Sequence, residues 1–288
     1  MKAYEISPNS FCKGVLRAIK IIKNSINENT PKPIYMLGYL VHNKFVVNSF
    51  ENINIITSNY YEELLKINEG TIIITAHGAS PNIYKIINEK KLNLIDTTCV
   101  NVKRIHNSIN AYLDNNYEVY VIGNEKHPEI KGYLGISNNV HIYNGIINSQ
   151  KAFVTTQTTL VRNEVCSVLK DIQNKYPNCI CNNDVCNATT NRQNAVLESI
   201  NNYDLFIIIG DPLSNNCSSL YDLVIKNNKD AIKINNVEDL NNYSITKYEK
   251  IGVTAAASTP KAILLEVIDC INNNKPFKSK LTNQDYIN

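Results

Sequence analysis

Three stretches of the chain repeat one succession of patterns. In "KGVLRAIKIIKNSI" (13–26), "VNVKRIHNSINAYL" (100–113) and "NATTNRQNAVLESI" (187–200), apolar residues recur every three or four positions, as at Val15, Ile19, Ile22 and Ile26. That period places them on one face of a helix. Each predicted helix leads to a compact apolar run of strand length: "PIYMLGYL" (33–40), "YEVYVIGNE" (117–125) and "YDLFIIIGDP" (203–212). Runs so uniformly apolar predict strands of a parallel sheet buried on both faces. A second strand follows in each unit, at "TIIITAHGAS" (71–80), "KAFVTTQTT" (151–159) and "KIGVTAAAS" (250–258). The first two units add a third strand that runs into a cysteine, "LNLIDTTC" (92–99) and "NCICNNDVC" (178–186). The third unit has no such sequel, and the N-terminal "KAYEISPNSFC" (2–12) is predicted to supply it.

The cysteines mark the same repeat. Cys12, Cys99 and Cys186 are spaced 87 residues apart, and each precedes one of the three helices. The expected fold is α/β: three modules related by a pseudo-threefold axis, with small parallel or mixed sheets. Their boundaries are residues 13–98, residues 99–185, and residues 1–12 with 186–260. A helix from Lys261 to Ile271 and a polar tail complete residues 261–288, the tail either wrapping the surface or fraying. Ligands of such modules bind at the carboxyl ends of the strands. Three sulfurs meeting there would make a metal site by geometry, without the close ligand spacing of a zinc knuckle. Cys166, Cys179, Cys181, Cys217 and Cys270 lack this support, and the Cys179/Cys181 pair reads as structural.

Composition narrows the function classes. The 288 residues allow about two domains by length. Hydrophobic content of 43% and charged content of 19% are globular values, with asparagine in place of some charge. A net charge of +3 argues for neither nucleic acid nor membrane. The start has no apolar core of a secretory signal, and no run reaches the ~20 apolar residues that span a bilayer. A cytoplasmic protein with reduced cysteines is therefore expected. The sequons at Asn187, Asn216 and Asn242 then carry no meaning.

The strand ends carry the remaining chemistry. "LVHNK" brings His42, "TAHGAS" brings His77, and "EKHPEIKG" brings His127 and Glu129. "TTQTTL" brings Thr158 and Thr159, "DPLSNNCSS" brings Ser214, Asn215 and Asn216, and "TAAAS" brings Ser258. His106, on a helix, and His141, in an expected turn, take ordinary roles. Imidazoles, hydroxyls and an amide make a donor-rich pocket suited to a phosphate or diphosphate. No Walker-type or GxGxxG pattern is present, so side chains would hold the anion. Glu129 is the carboxyl group of this set, and in a dry pocket it could donate a proton near neutral pH. Three thiolates suit an iron–sulfur cluster with one open iron, or zinc completed by a histidine.

Nine segments, in order, resemble the 4-hydroxy-3-methylbut-2-enyl diphosphate reductase family: "FCKGVLRAI", "VHNKFVV", "AHGAS", "IDTTC", "HPEIKGYLG", "TQTTL", "CNATTNRQNAV", "SNN" and "GVTAAAS". They cover residues 1 to about 260. The resemblance implies a [4Fe–4S] cluster on Cys12, Cys99 and Cys186 with one open iron site, at the centre of the three modules. It implies reductive dehydroxylation of (E)-4-hydroxy-3-methylbut-2-enyl diphosphate to isopentenyl and dimethylallyl diphosphate, the last step of the non-mevalonate isoprenoid pathway. Glu129 would supply the proton, assisted by His127 and Thr158. His42, His77, His127, Thr158, Ser214, Asn215, Asn216 and Ser258 would contact the substrate. A ferredoxin or flavodoxin would supply electrons.

The chain departs from the family pattern at three places. Asn9-Ser10 stands where Arg-Gly is usual before the first cysteine, Val100 replaces a proline, and Asn215 replaces a serine. These departures bear on rate and cluster stability more than on reaction type. A quinolinate synthase-like cluster enzyme shares the three-module plan but does not explain "HPE", "TQTTL" and "ATTNRQ" together. A non-catalytic iron–sulfur or zinc protein would have no use for Glu129. An RNA-binding domain is poorly served by the weak, scattered charge.

Overall fold

The structure is a computed structural model, and it describes residues 1–287. Among the described residues, twelve strands form three four-stranded sheets. The strands are β1 (Lys2–Glu5), β2 (Ile34–Leu37), β3 (Ile53–Ile56), β4 (Thr71–Ile74), β5 (Asn93–Asp96), β6 (Glu118–Ile122), β7 (Val140–Ile142), β8 (Ala152–Thr156), β9 (Ile180–Cys181), β10 (Leu205–Ile209), β11 (Asp230–Ile234) and β12 (Lys250–Ala255). The helices between them are α1 (Lys13–Ser25), α2 (Lys44–Asn48), α3 (Tyr60–Lys66), α4 (Pro81–Glu89), α5 (Val100–Asp114), α6 (Pro128–Leu134), α7 (Arg162–Lys175), α8 (Asn187–Glu198), α9 (Asn215–Lys226) and α10 (Lys261–Asn272).

One topology is used three times. The orders are β3-β2-β4-β5, β7-β6-β8-β9 and β11-β10-β12-β1, and the pairings are parallel. β1 fills the fourth position of the third sheet, pairing Ala3 with Ile251 and Tyr4 with Gly252. The N-terminal segment thus completes the unit whose own sequence lacks a last strand. In each sheet the fourth strand leads to a cysteine and then a helix: β5 to Cys99 and α5, β9 to Cys186 and α8, β1 to Cys12 and α1.

Of the inner strands, β4, β8 and β10 are buried at every position, as helices on both faces of a parallel sheet require. The edge strands β3, β7 and β11 were not expected from the pattern, and His141 lies in β7 rather than in a turn. These strands are only partly buried, so "INII", "VHI" and "DAIKI" lack the continuous apolar signature. A Leu205, Ile207 and Ile209 face packs on Ile263, Leu264 and Val267 of α10. The tail wraps rather than frays: Tyr286 is buried on that cluster and its ring lies 5.0 Å from Phe45. No described helix is long and apolar enough to cross a membrane.

The chain divides into two compact units. One holds Met1–Leu16, Val41–Glu51 and the segment from Asn187 onward; the other holds Arg17–Leu40 and Asn52–Cys186.

Candidate active site

In the unit that contains Asn52–Cys186, the chemistry gathers around Glu129. Helix α6 begins with Pro128 at its first position, where a missing N–H costs nothing. His127 caps it, Nδ1 accepting the Glu129 N–H at 3.3 Å, so the ring proton of the neutral imidazole sits on Nε2. This places Glu129 in the first turn, 2% exposed. Its carboxyl group accepts three hydrogen bonds. The Thr158 N–H and the Tyr133 hydroxyl donate to Oε1 at 2.8 and 3.0 Å, and the Thr158 hydroxyl donates to Oε2 at 2.8 Å. Complete burial raises the pKa of Glu129, and these donors oppose the rise without cancelling it.

Thr158 also reaches the third cysteine. Its carbonyl accepts the Cys186 N–H at 2.9 Å. The loop between them is held by Asp184, which accepts from the Thr155 hydroxyl at 2.7 Å and from Arg104 at 2.9 Å. The His77 and His127 rings meet edge to face, centroids 5.3 Å apart. Cys99 caps α5, its N–H bonded to the Ala76 carbonyl at 3.0 Å, and it packs on the cluster that contains Tyr133.

Sequence reasoning singled out His127, Glu129 and Thr158 but missed Tyr133 and Asp184. Tyr133 follows Glu129 by four residues on a helix, which puts the two side chains on one face. That spacing was the available signal. Asp184 had none, because its partners are distant in sequence.

His106 of α5 supports this network from behind. Its ring meets Tyr133 edge to face at 5.0 Å, and its Nε2 is buried without a hydrogen-bond partner. Burial pushes its pKa down to about 4, against a weaker opposing pull from Asp96. A histidine lowered this far binds its proton less readily in the folded state than unfolded. Stability is therefore fully present above the unfolded value near 6.5 and falls as pH drops towards 4. We expect about 2 kcal/mol of stability to be lost through this group between pH 7 and pH 5. Urea denaturation at both pH values checks this: His106→Phe should lose less stability on acidification than the unaltered protein, and an equal loss would contradict it.

In the unit containing Asn187 onward, a second set of groups is brought together. Ser214 caps α9, its hydroxyl accepting the Cys217 N–H at 3.4 Å. Asn216 Oδ1 accepts the Ala257 N–H at 3.0 Å, and its amide nitrogen reaches Thr189 Oγ1 at 3.5 Å. The Ser258 hydroxyl donates to the His42 carbonyl at 3.2 Å and lies 3.5 Å from that of Ser214. Asn215 is half-buried at the first turn of α9. Gly210 permits this closeness: a Cβ there would stand 2.9 Å from that of Ala256 and 3.0 Å from that of Cys217. Burial lowers the pKa of His42, opposed by Asp211. A neutral ring together with hydroxyl and amide groups can donate to a polyanion without carrying a matching charge.

Cys12 belongs to the same unit. Its N–H bonds to the Ala257 carbonyl at 3.2 Å, and its sulfur accepts the Val15 N–H at 3.4 Å. Ser10, two residues earlier, is 4% exposed and has φ of 59°, the left-handed region that favours glycine. Arg192 holds this bend by donating to the Ser10 and Asn9 carbonyls. The departure from glycine at position 10 thus carries a backbone cost. Ser10→Gly is expected to raise stability by roughly 0.5–1 kcal/mol, read as a higher urea midpoint. A lower midpoint would show that the Ser10 hydroxyl bond to Asn9 outweighs the strain.

Three of the cysteines are candidate ligands of an iron–sulfur cluster. Cys12, Cys99 and Cys186 are half-buried cysteines, each standing immediately before a helix. The Cys12 sulfur accepts the Val15 N–H, the kind of N–H···S support that cluster ligands use.

Comparison with known proteins finds close relatives. A family model described as LytB protein matches residues 4–272. The 4-hydroxy-3-methylbut-2-enyl diphosphate reductase of Bacillus subtilis (strain 168) is 38% identical, over 93% of this chain and 90% of its own length. The enzyme of the same name from Anoxybacillus flavithermus is 38% identical, over 96% and 92%. Among solved structures, the E-1-hydroxy-2-methyl-but-2-enyl-4-diphosphate reductase from Plasmodium falciparum superposes with a TM-score of 0.86 at 30% identity, over 96% of this chain and 89% of that one.

Proposed function

The chain belongs to the LytB protein family, and from that membership we propose how its residues carry out the family's reaction. The protein is an oxidoreductase that converts (E)-4-hydroxy-3-methylbut-2-enyl diphosphate to isopentenyl and dimethylallyl diphosphate, the terminal step of the non-mevalonate pathway. The substrate takes up two electrons and two protons, the allylic C–O bond breaks, and water leaves. The observation that carries the assignment of roles is Thr158, which bonds the buried Glu129 twice and also binds the backbone of Cys186.

In this reading Cys12, Cys99 and Cys186 hold a [4Fe–4S] cluster through three thiolates. When bound, such a cluster supplies electrons one at a time and offers an open iron to the substrate hydroxyl. Glu129 holds the proton that is delivered to carbon. Its raised pKa keeps the carboxyl group protonated to a higher pH than an ordinary glutamate, and protonation makes Oε2 a donor. The Thr158 hydroxyl can then turn, accepting from Glu129 and donating to the substrate hydroxyl or to departing water. Nε2–H of His127, whose ring caps the helix turn that carries Glu129, is a further donor.

The diphosphate is gripped by His42, His77, Ser214, Asn215, Asn216 and Ser258. Hydroxyl and amide donors suit an anion that must bind and then leave as part of the product. The chain's modules are residues 13–98, residues 99–185, and residues 1–12 with 186–260, and α10 and the tail form the remainder. The electron donor is a ferredoxin or flavodoxin, and the enzyme works in the cytoplasm.

Anaerobic reconstitution with iron and sulfide, then turnover of the hydroxy-diphosphate with a reduced viologen dye, tests the reading. Dye oxidation with formation of both five-carbon diphosphates is expected. Iron incorporation without dye oxidation would overturn it.

A further inference from the structure

One pair of thiols lies outside the site described above. Cys179 and Cys181 flank Ile180 at the start of β9, the terminal strand of the order β7-β6-β8-β9. Residues two apart in an extended strand point to one face. Accordingly both sulfurs face α7, where Cys179 packs with Val165, Leu169 and Ile172, and they stand 3.8 Å apart. That is van der Waals contact between two sulfurs, with no atom between them. The backbone on either side is held: the Cys179 N–H bonds to the Tyr176 carbonyl at 3.0 Å, and the Asn182 N–H to Val154 at 2.8 Å.

The two thiols are not equivalent. Cys179 is 9% exposed and forms one wall of a cleft of ≈ 360 Å³ between the Ile147–Gln150 loop and the end of α7, while Cys181 is half-buried on the strand. A half-buried cysteine beside a buried one is the arrangement of an attacking and a resolving thiol. The thiol–thiol hydrogen bond accentuates the difference, lowering the pKa of Cys181 and raising that of Cys179.

We propose that Cys179 and Cys181 form a redox-active dithiol that reacts with low-molecular-weight disulfides of the glutathione class and closes to an intramolecular disulfide. The Cys181 thiolate attacks one sulfur of the oxidant, breaking its S–S bond and releasing one thiolate. Cys179 then loses its proton and attacks the Cys181 sulfur, releasing the second thiolate. Two protein thiols are oxidised and one external disulfide is reduced to two thiols, which take up the two protons. Closure needs the sulfurs to move from 3.8 Å to about 2.05 Å by side-chain rotation. Cys166 provides the contrast. It is exposed on α7 and accepts a hydrogen bond from Asn183, with no described thiol as a hydrogen-bond partner, so it should stop at the mixed disulfide.

The test uses the cluster-loaded protein and no turnover, so it stands apart from the reductase reading. The protein is exposed anaerobically to increasing oxidised glutathione, quenched with iodoacetamide, digested, and mapped by fragmentation mass spectrometry. The expected product is a Tyr176–Arg192 peptide two hydrogens lighter than the dithiol, with the bond between Cys179 and Cys181 and no glutathione attached. In Cys179→Ala the glutathione adduct should accumulate at Cys181, and in Cys181→Ala Cys179 should remain a free thiol. Three results would overturn the proposal: a stable glutathione adduct at Cys181 in the unaltered protein, both thiols alkylated when Cys166 is fully modified, or a disulfide from Cys181 to Cys186.

Discussion

Glu129→Gln is expected to lower turnover by roughly 100- to 10,000-fold, the usual contribution of a positioned proton donor, while iron content stays unchanged. The amide is a close replacement for a protonated carboxyl group. Its oxygen can accept from the Thr158 N–H and the Tyr133 hydroxyl, and its nitrogen can donate to Thr158 Oγ1, so all three hydrogen bonds survive. What it lacks is a transferable proton. Folding should not suffer. The pKa of Glu129 is raised in the folded state, so ionising it costs stability as pH rises above its unfolded value of about 4.5, and the amide escapes that cost. The decisive measurement is turnover with a viologen reductant, alongside iron content and a urea midpoint near pH 7. Retained turnover would remove Glu129 from its role. Lost iron would show that the change had acted through Thr158 on Cys186.

Serine at Cys12, Cys99 or Cys186 should have a larger effect still. In the proposed reading each change removes one of three thiolate ligands from a cluster with no fourth protein ligand, and turnover should fall to background. Iron per chain after anaerobic reconstitution is the direct readout. The controls are Cys166→Ser, which alters an exposed thiol, and Cys270→Ser, which alters a buried one on the core around α10. Both should bind iron like the unaltered protein. Equal iron in all the serine variants would dismiss the thiolate ligand set. Loss at Cys12 alone would instead point to the Ser10 bend and its Arg192 clamp as the weak point.

Much of this was legible along the chain, for identifiable reasons. A strand buried on both faces has to be apolar throughout, so β4, β8 and β10 stood out as continuous runs. Edge strands answer to one neighbour and to solvent, so β3, β7 and β11 carried mixed patterns and were passed over. Cys12, Cys99 and Cys186 could be paired with their helices because the repeat places each between a fourth strand and a helix. Tyr133 was hidden because a phenol buried in a helix looks like core, and only its 3.0 Å bond to Glu129 reveals its other part.

The sequence by itself determined the repeated strand–helix order, the contribution of the N-terminal strand to the last sheet, and the candidate side chains at the strand ends. Those properties follow from local periodicity and residue type, which need no knowledge of distant neighbours. Only the tertiary structure decided the protonation tendencies and hydrogen-bond partners of those side chains. Glu129 is an ordinary carboxylate in an extended chain. Its pKa rises because folding removes its water, and Thr158 and Tyr133 stand in that water's place. Likewise, only the folded strand shows that the sulfurs of Cys179 and Cys181 stand 3.8 Å apart. Desolvation and contact are properties of the folded neighbourhood, and no spacing along the chain encodes them.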